Sequence, residues 1–398
     1  MRSLVLVLSF LCITSSLAQE QRYRLERIVV EGPLEAEDIV RAEARLEEER
    51  MYDAEDFRQA VYRVRRLPFV ADATWRLESG VTAGSTTLVI QILATKTFFY
   101  DVDARANKPS NGDTELSAEA LLGARKLLGE LGTIEGAIGQ RDEEDGLTAA
   151  VTYRAYDLLG RGAFATVNVG YRYATEARRY DPSVSLQVGW PLSRTQTLTG
   201  EVSRYKTRLL RDFAINANED DNITLTDRDA LEATALRWWY ESIDDPIFAR
   251  RGASLNVGPV WSRTTTIRQT YDSATKKIVG EQEWTERYGL SANLSAYRPF
   301  SARNAGFLRM RGDATTADDV RFFDAAALVG IAHDFHTPSD DRLHDFRARF
   351  ELSYGYRASM HREDGIADLR DDGPIAEAAF VMRHRWGTMR LTASYSAE

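Results

Sequence analysis

Between Leu147 and Tyr173 the chain alternates. Ala163, Ala165, Val167, Val169, Tyr171 and Tyr173 fall on one face, and Phe164, Thr166, Asn168, Gly170 and Arg172 on the other. A period of two held for eleven residues is the signature of a strand with one apolar and one mostly polar face. A strand of that length, tilted, can cross a bilayer. A matching run precedes it, and the two are joined by the tight turn Leu158-Leu-Gly-Arg-Gly162.

The theme recurs to the end of the chain. Val184, Leu186, Val188 and Trp190 alternate with Ser185, Gln187 and Gly189; Ala253, Leu255, Val257, Pro259 and Trp261 with Ser254, Asn256 and Gly258. The cleanest run sets Phe346, Ala348, Phe350, Leu352, Tyr354 and Tyr356 against Arg347, Arg349, Glu351, Ser353 and Gly355. From Gly132 we read thirteen strands, and 132–398 is expected to be a barrel of about 12–14. Short connections (158–162, 191–196, 244–252, 299–305, 383–388) alternate with long charged ones, Arg208–Asp229 and Arg263–Arg287. Short turns at one end and long loops at the other are the pattern of an outer-membrane barrel. Trp190, Trp261, Trp284, Tyr297 and Trp386 lie near strand ends, where aromatic girdles belong. A soluble sandwich or propeller would tolerate the same alternation but not require that regular exchange of short and long connections. An even strand number is expected of a single bacterial chain. Thirteen therefore points to a miscount, to a further strand at 98–106, or to a truncated chain, whose last residues lack a terminal aromatic.

Upstream, 22–96 reads as strand, helix, helix, strand, strand. The first strand is Tyr23–Gly32. Ile39, Ala42 and Leu46 are spaced for one helix face. Asp53 is a candidate N-cap with Asp56 three residues on. Phe57, Ala60, Val61, Val64 and Leu67 form a second stripe before Pro68, and strands are expected at 70–78 and 86–95. The segment 97–131 is expected to be a junction: an aromatic cluster at Phe98-Phe99-Tyr100, then an Ala/Leu/Glu/Lys-rich helix over 115–130.

The first eighteen residues read as a signal peptide. Arg2 is the positive end, Leu4–Ile13 the apolar core, and cleavage follows Ala18. That leader holds Cys12, the single cysteine, so the mature chain has no disulfide. Losing Arg2 makes an already acidic chain, formally −9, more so, and no basic run marks a nucleic-acid partner. No Gly-x-Ser-x-Gly elbow occurs. His333 and His336 lie near Asp334, Asp340 and Asp341, where a metal site is conceivable but a polar periplasmic turn is the favoured reading. Acidic runs at 142–145 and 219–221 read as solvated loops. No enzyme, cofactor or metal is expected.

Two resemblances follow from these residues. Ile28-Val-Val-Glu-Gly32 and Leu67-Pro-Phe-Val-Ala-Asp-Ala73 make 22–96 similar to a POTRA domain. The resemblance implies a periplasmic module that binds extended chains at a sheet edge, which would place Thr87, Val89 and Gln91 in the binding strand. Asp157-Leu-Leu-Gly-Arg-Gly162 and Asp244-Asp-Pro-Ile-Phe-Ala-Arg-Arg-Gly252 resemble turns of the Omp85 barrel, with Gly160, Arg161, Gly162, Asp245, Pro246 and Gly252 as the carrying positions. The family's sixth-loop signature, Arg-Gly followed by an aromatic, is missing. Met310-Arg311-Gly312-Asp313 is its nearest counterpart, so that loop's arginine role is carried onto no residue. The resemblance implies an outer-membrane protein that assists insertion, assembly or translocation of polypeptides, with membrane lipids, client chains and periplasmic accessory proteins as partners. The alternative is a passive pore or structural barrel whose inward Arg172, Arg309, Arg311, Arg347 and Arg349 either set anion preference or pair with Glu351 and similar groups to fill the lumen.

Overall fold

The computed structural model describes residues 21–396, except 110–111, 113, 130–131, 142–145, 159–161, 175–178, 210–223, 273–276, 318–319, 337–341 and 364–368. The leader, both acidic runs, and Gly160 and Arg161 of the first turn motif lie outside the described residues.

The N-terminal module runs β1 (Tyr23–Glu31), a 3-10 turn (Leu34–Ala36), α1 (Glu37–Ala44), β2 (Met51–Tyr52), α2 (Ala54–Arg65), β3 (Val70–Ser79) and β4 (Ser85–Ala94). Helix α2 starts where the sequence indicates: the Asp53 side chain accepts from Asp56 N at 2.8 Å, and Asp56 returns the bond to Asp53 N. Its stripe Phe57, Ala60, Val61 and Val64 packs with Ile39 and Val40 of α1 on Leu25, Leu88 and Ile90 of the sheet. The strand order is β2-β1-β4-β3, with β1 and β4 parallel. Here one expectation fails. Strand β4 is interior, so Thr87, Val89 and Gln91 are paired on both sides, Val89 with Val29 and with Arg76. Leu88, Val89 and Ile90 are all buried; an unbroken apolar run marks a strand covered on both faces. Among the described residues the open edges belong to β3 and to β1 beyond Leu25, where its backbone pairing with 49–52 stops.

Among the described residues the barrel has fifteen strands. They are β5 (Phe98–Pro109), β6 (Glu115–Leu127), β7 (Thr133–Arg141), β8 (Gly146–Leu158), β9 (Ala163–Ala174), β10 (Arg179–Pro191), β11 (Gln196–Leu209), β12 (Thr224–Glu241), β13 (Gly252–Asp272), β14 (Lys277–Pro299), β15 (Asn304–Ala317), β16 (Val320–Asp334), β17 (Phe346–Glu363), β18 (Leu369–His384) and β19 (Gly387–Ser396). Consecutive strands pair antiparallel. Because the number is odd, β5 and β19 run the same way, and they close the barrel through a parallel ladder from Gly387↔Tyr100 to Ser396↔Pro109.

The thirteen strands from Gly132 are present, and two more precede them in the segment 97–131. Phe98–Ala106 is the first barrel strand. The expected helix at 115–130 is instead strand β6. Its Ala, Leu and Glu favour a helix intrinsically. The alternation of Leu116, Ala118, Ala120, Leu122 and Ala124 against Ser117, Glu119, Gly123 and Arg125 suits a wall strand, and ladders to β5 and β7 satisfy its backbone on both sides. The even count gives way to fifteen.

The long connection at Arg263–Arg287 is also mostly strand. β13 and β14 stay paired from Gly252↔Tyr297 to Asp272↔Lys277. The wall is therefore lopsided. Ten residues of seam, at about 3.3 Å each and tilted about 40°, rise about 25 Å, just the apolar height of a bilayer. The β13–β14 hairpin rises about twice as far.

The outward face is apolar and solvent-accessible: Val167, Val169, Leu186, Val188, Leu290, Val329, Ile331, Phe350, Leu352 and Tyr354 are all exposed. So large an apolar belt on a closed barrel is a lipid-facing surface. Above it, Arg204, Glu232, Arg263 and Glu286 stand side by side on four strands, with Glu232 3.4 Å from each arginine. This charged row ends the belt. Tyr297 does not belong to the girdle: it points inward and packs on Phe307 and Arg309. Leu352→Arg places a charge mid-belt and is expected to cost about 2–4 kcal/mol. Urea unfolding in vesicles measures it, and wild-type stability would contradict the lipid-facing assignment.

Candidate functional site at the closed end of the barrel

The connection between β12 and β13 is a built turn. Asp244 Oδ1 accepts from Arg250 N and Arg251 N at 2.8 and 3.1 Å; Asp245 Oδ1 accepts from Ile247 N and Phe248 N at 2.9 and 2.8 Å. Asp side chains favour such loops because they bond backbone groups a few residues on. Gly252 ends the turn at φ +93°, where a Cβ would lie 2.1 Å from Ser242 O, so only glycine fits. The other turn motif behaves similarly: Gly162, at φ +66°, donates its N–H to Asp157 Oδ1 at 2.7 Å.

Asp245 joins the turn to the wall and to the module. Its Oδ2 accepts from Arg347 of β17 at 2.6 Å and from Arg65 of α2 at 3.3 Å. Asp72 of β3 lies 3.3 Å from Arg65 and 3.8 Å from Arg347, and also accepts from His344 N at 2.9 Å. Two guanidiniums and two carboxylates, all nearly buried, thus latch the module across one end of the barrel. Further contacts extend the latch: Arg66 and Tyr62 reach Glu241, Gln59 donates to Ser242 O at 2.7 Å, and Arg63 donates to Arg194 O at 2.8 Å.

Beside the latch, Arg349 is 0 % exposed. It donates to Asp334 at 2.6 and 3.1 Å and to the carbonyls of Phe248 and Ala249 at 2.7 and 2.8 Å. The Phe248 ring packs against both Arg347 and Arg349. Glu351 accepts from Arg309 at 2.9 Å. Arg309, Arg347 and Arg349 each meet a carboxylate, as burial of charge requires.

Burial pushes the Asp245 carboxyl up, but the Arg347 and Arg65 guanidiniums, with the Phe248 and Ile247 N–H groups, outweigh it and hold the group well below the usual carboxylate range. A lowered carboxyl contributes stability that is complete above its unfolded value of 3.8 and is lost as pH falls through the folded value. His336 is lowered from 6.5, first by burial. Its contribution is complete above 6.5 and fades as pH falls. Stability is expected to decline first below pH 6.5 and again below pH 4. Denaturant titrations across that range measure it, and a flat profile would contradict the buried placement of both groups.

The structure thus brings together Arg309, Arg347, Arg349, Glu351, Asp245 and Pro246. It leaves Arg172 and Arg311 on the inner wall away from the latch, Arg311 beside Asp324 at 3.6 Å. Met310–Asp313 lies within β15, and only two residues separate β15 from β16. Sequence reasoning missed Arg65, Asp72, Asp334 and Phe248. Asp72 carried a signal, a lone carboxylate in the apolar run Val70-Ala-Asp-Ala-Thr.

No protein-family model matches the chain, and no curated protein does. Among solved structures it is similar to BamA from Haemophilus ducreyi lacking POTRA domains 1–3, at 13% identity and TM-score 0.46, covering 94% of this chain and 81% of that one. It is also similar to CdiB from Acinetobacter baumannii, at 10% identity and TM-score 0.49; the match covers 91% of this chain but spans only 60% of that one. A third, OmpT from Vibrio cholerae, is 9% identical with TM-score 0.35, over 73% of this chain and 97% of that one.

Proposed function

We propose that the protein is an Omp85-type outer-membrane barrel of a Gram-negative bacterium, its POTRA-like module in the periplasm, and that it assists insertion, assembly or translocation of polypeptides. The observation that carries this is the closing seam. Its parallel ladder lies in the low part of the wall, beside the similarly short ladders of β5 to β9, and joins the two ends of the barrel. Parallel pairing is slightly less stable per residue than antiparallel pairing. Opening it bares two strand edges at lipid depth, where unpaired backbone groups find no water. A client strand that pairs with either edge satisfies them. The work is exchange of backbone hydrogen bonds, and no catalytic residue takes part. The two turn motifs and the order of module then barrel support the family reading. Depletion tests the function: unchanged levels of the other outer-membrane proteins would overturn it.

The pore reading has one observation in its favour. The two-residue connection between β15 and β16 provides no long loop to fill the lumen. The module across the barrel end opposes it. Bilayer recording separates the two, and a stable open conductance in the intact protein would favour the pore.

A further inference from the structure

A cavity of about 370 Å³ lies between the end of α2, the start of the seam and the β12–β13 turn. Arg65, Arg66, Arg125, Arg383 and Arg385 line it, against Asp101 and Glu135. Four of the five guanidiniums have carboxylate partners, three of them closely: Arg65 holds Asp72 and Asp245, Arg66 holds Glu241, and Arg125 holds Glu135 at 2.5 Å. Arg383 differs. Among the described residues its hydrogen bond goes to the Val70 carbonyl at 2.6 Å, and no ion pair joins it. Arg385 donates to the Ala94 carbonyl at 3.1 Å and lies 3.9 Å from the exposed Asp345. A carbonyl satisfies an N–H without neutralising its charge. The latch beside the cavity is already balanced, two guanidiniums with two carboxylates. Arg383 therefore adds a part-buried positive charge, held only by a carbonyl, next to empty volume, an arrangement that favours an anion.

We propose that this cavity is an oxyanion site that takes a phosphate group, from free phosphate or from an anionic lipid head, between Arg383 and Arg385. Guanidinium forks match phosphate oxygens bidentately, and the volume admits a phosphate with its ester substituent. The site is independent of the assembly role. It adds an anion to the junction of module and seam, so occupancy strengthens the module's hold on the barrel.

The test uses the full chain, in detergent and in nanodiscs. Calorimetric titration with inorganic phosphate, at ionic strength fixed with chloride, is expected to show saturable binding. Arg383→Gln, which can still donate to the Val70 carbonyl, is expected to weaken it at least tenfold, and Arg385→Gln to weaken it less. If Arg383→Gln does not fold, Arg385→Gln alone must show the loss. Saturable binding of free phosphate identifies the soluble source. Stabilisation by phosphatidylglycerol nanodiscs over phosphatidylcholine ones, lost in the same variants and without phosphate binding, identifies the lipid source. Absence of both, or equal effects in wild type and variants, overturns the proposal.

Discussion

Replacing Arg347 by methionine is expected to release the module from the barrel end while the barrel itself stays folded. Among the described residues, Arg347 is the wall residue that touches both carboxylates of the latch, Asp245 of the turn and Asp72 of the module. Removing it leaves Arg65 alone between two buried carboxylates. Breaking a buried pair from one side typically costs about 3–5 kcal/mol, because the remaining charge keeps its desolvation penalty and loses its compensation. Methionine keeps much of the volume, so the cost is electrostatic rather than a cavity. Two measurements follow. Protease should cut the module from the variant faster than from wild type, and bilayer recordings should show conductance that the intact protein lacks. A variant that stays closed and protected would mean the remaining contacts, Arg66–Glu241 and Gln59–Ser242 among them, hold the module without the latch.

Arg349→Met should behave in the opposite way. Among the described residues, Arg349 makes no hydrogen bond to the module; its four hydrogen bonds join β16 to the β12–β13 turn. Its loss leaves the Phe248 and Ala249 carbonyls without their buried donor and Asp334 with Arg250 alone, at 3.3 Å. The expected loss is again about 3–5 kcal/mol, now read in unfolding of the barrel. The proteolytic rate of the module relative to global unfolding should not rise. If the two variants give the same pattern, the separation of latch from turn anchor is wrong.

Much of this was legible along the chain, for a physical reason. A strand in a barrel wall carries its environment in its alternation, and Phe346–Tyr356 states it in full: aromatic and aliphatic groups outward, Arg347, Arg349 and Glu351 inward. The Asp244–Gly252 turn was equally readable, since its Asp and Gly positions are demanded by local backbone geometry. What stayed hidden depended on partners distant in sequence. Strand β6 looks helical until its neighbours on both sides are known. The interior position of β4 depends on β1, more than fifty residues away, pairing beside it. The latch joins residues 65, 72, 245 and 347, and no spacing rule connects them. Arg347 and Asp245 were each visible as sites; their meeting was not.

A disulfide across β5 and β19 measures the closure of the barrel directly. Ala104 and Leu391 face each other across β5 and β19. Cys12 is the one cysteine in the sequence, far from the seam along the chain. Ala104→Cys combined with Leu391→Cys is expected to cross-link on mild oxidation in the membrane and to lock the barrel. Growth of depleted cells should then depend on reductant. A pair displaced along the strand, Ala104→Cys with Met389→Cys, should link far less. Efficient linking of the displaced pair, or of neither, would contradict a barrel closed by this parallel ladder.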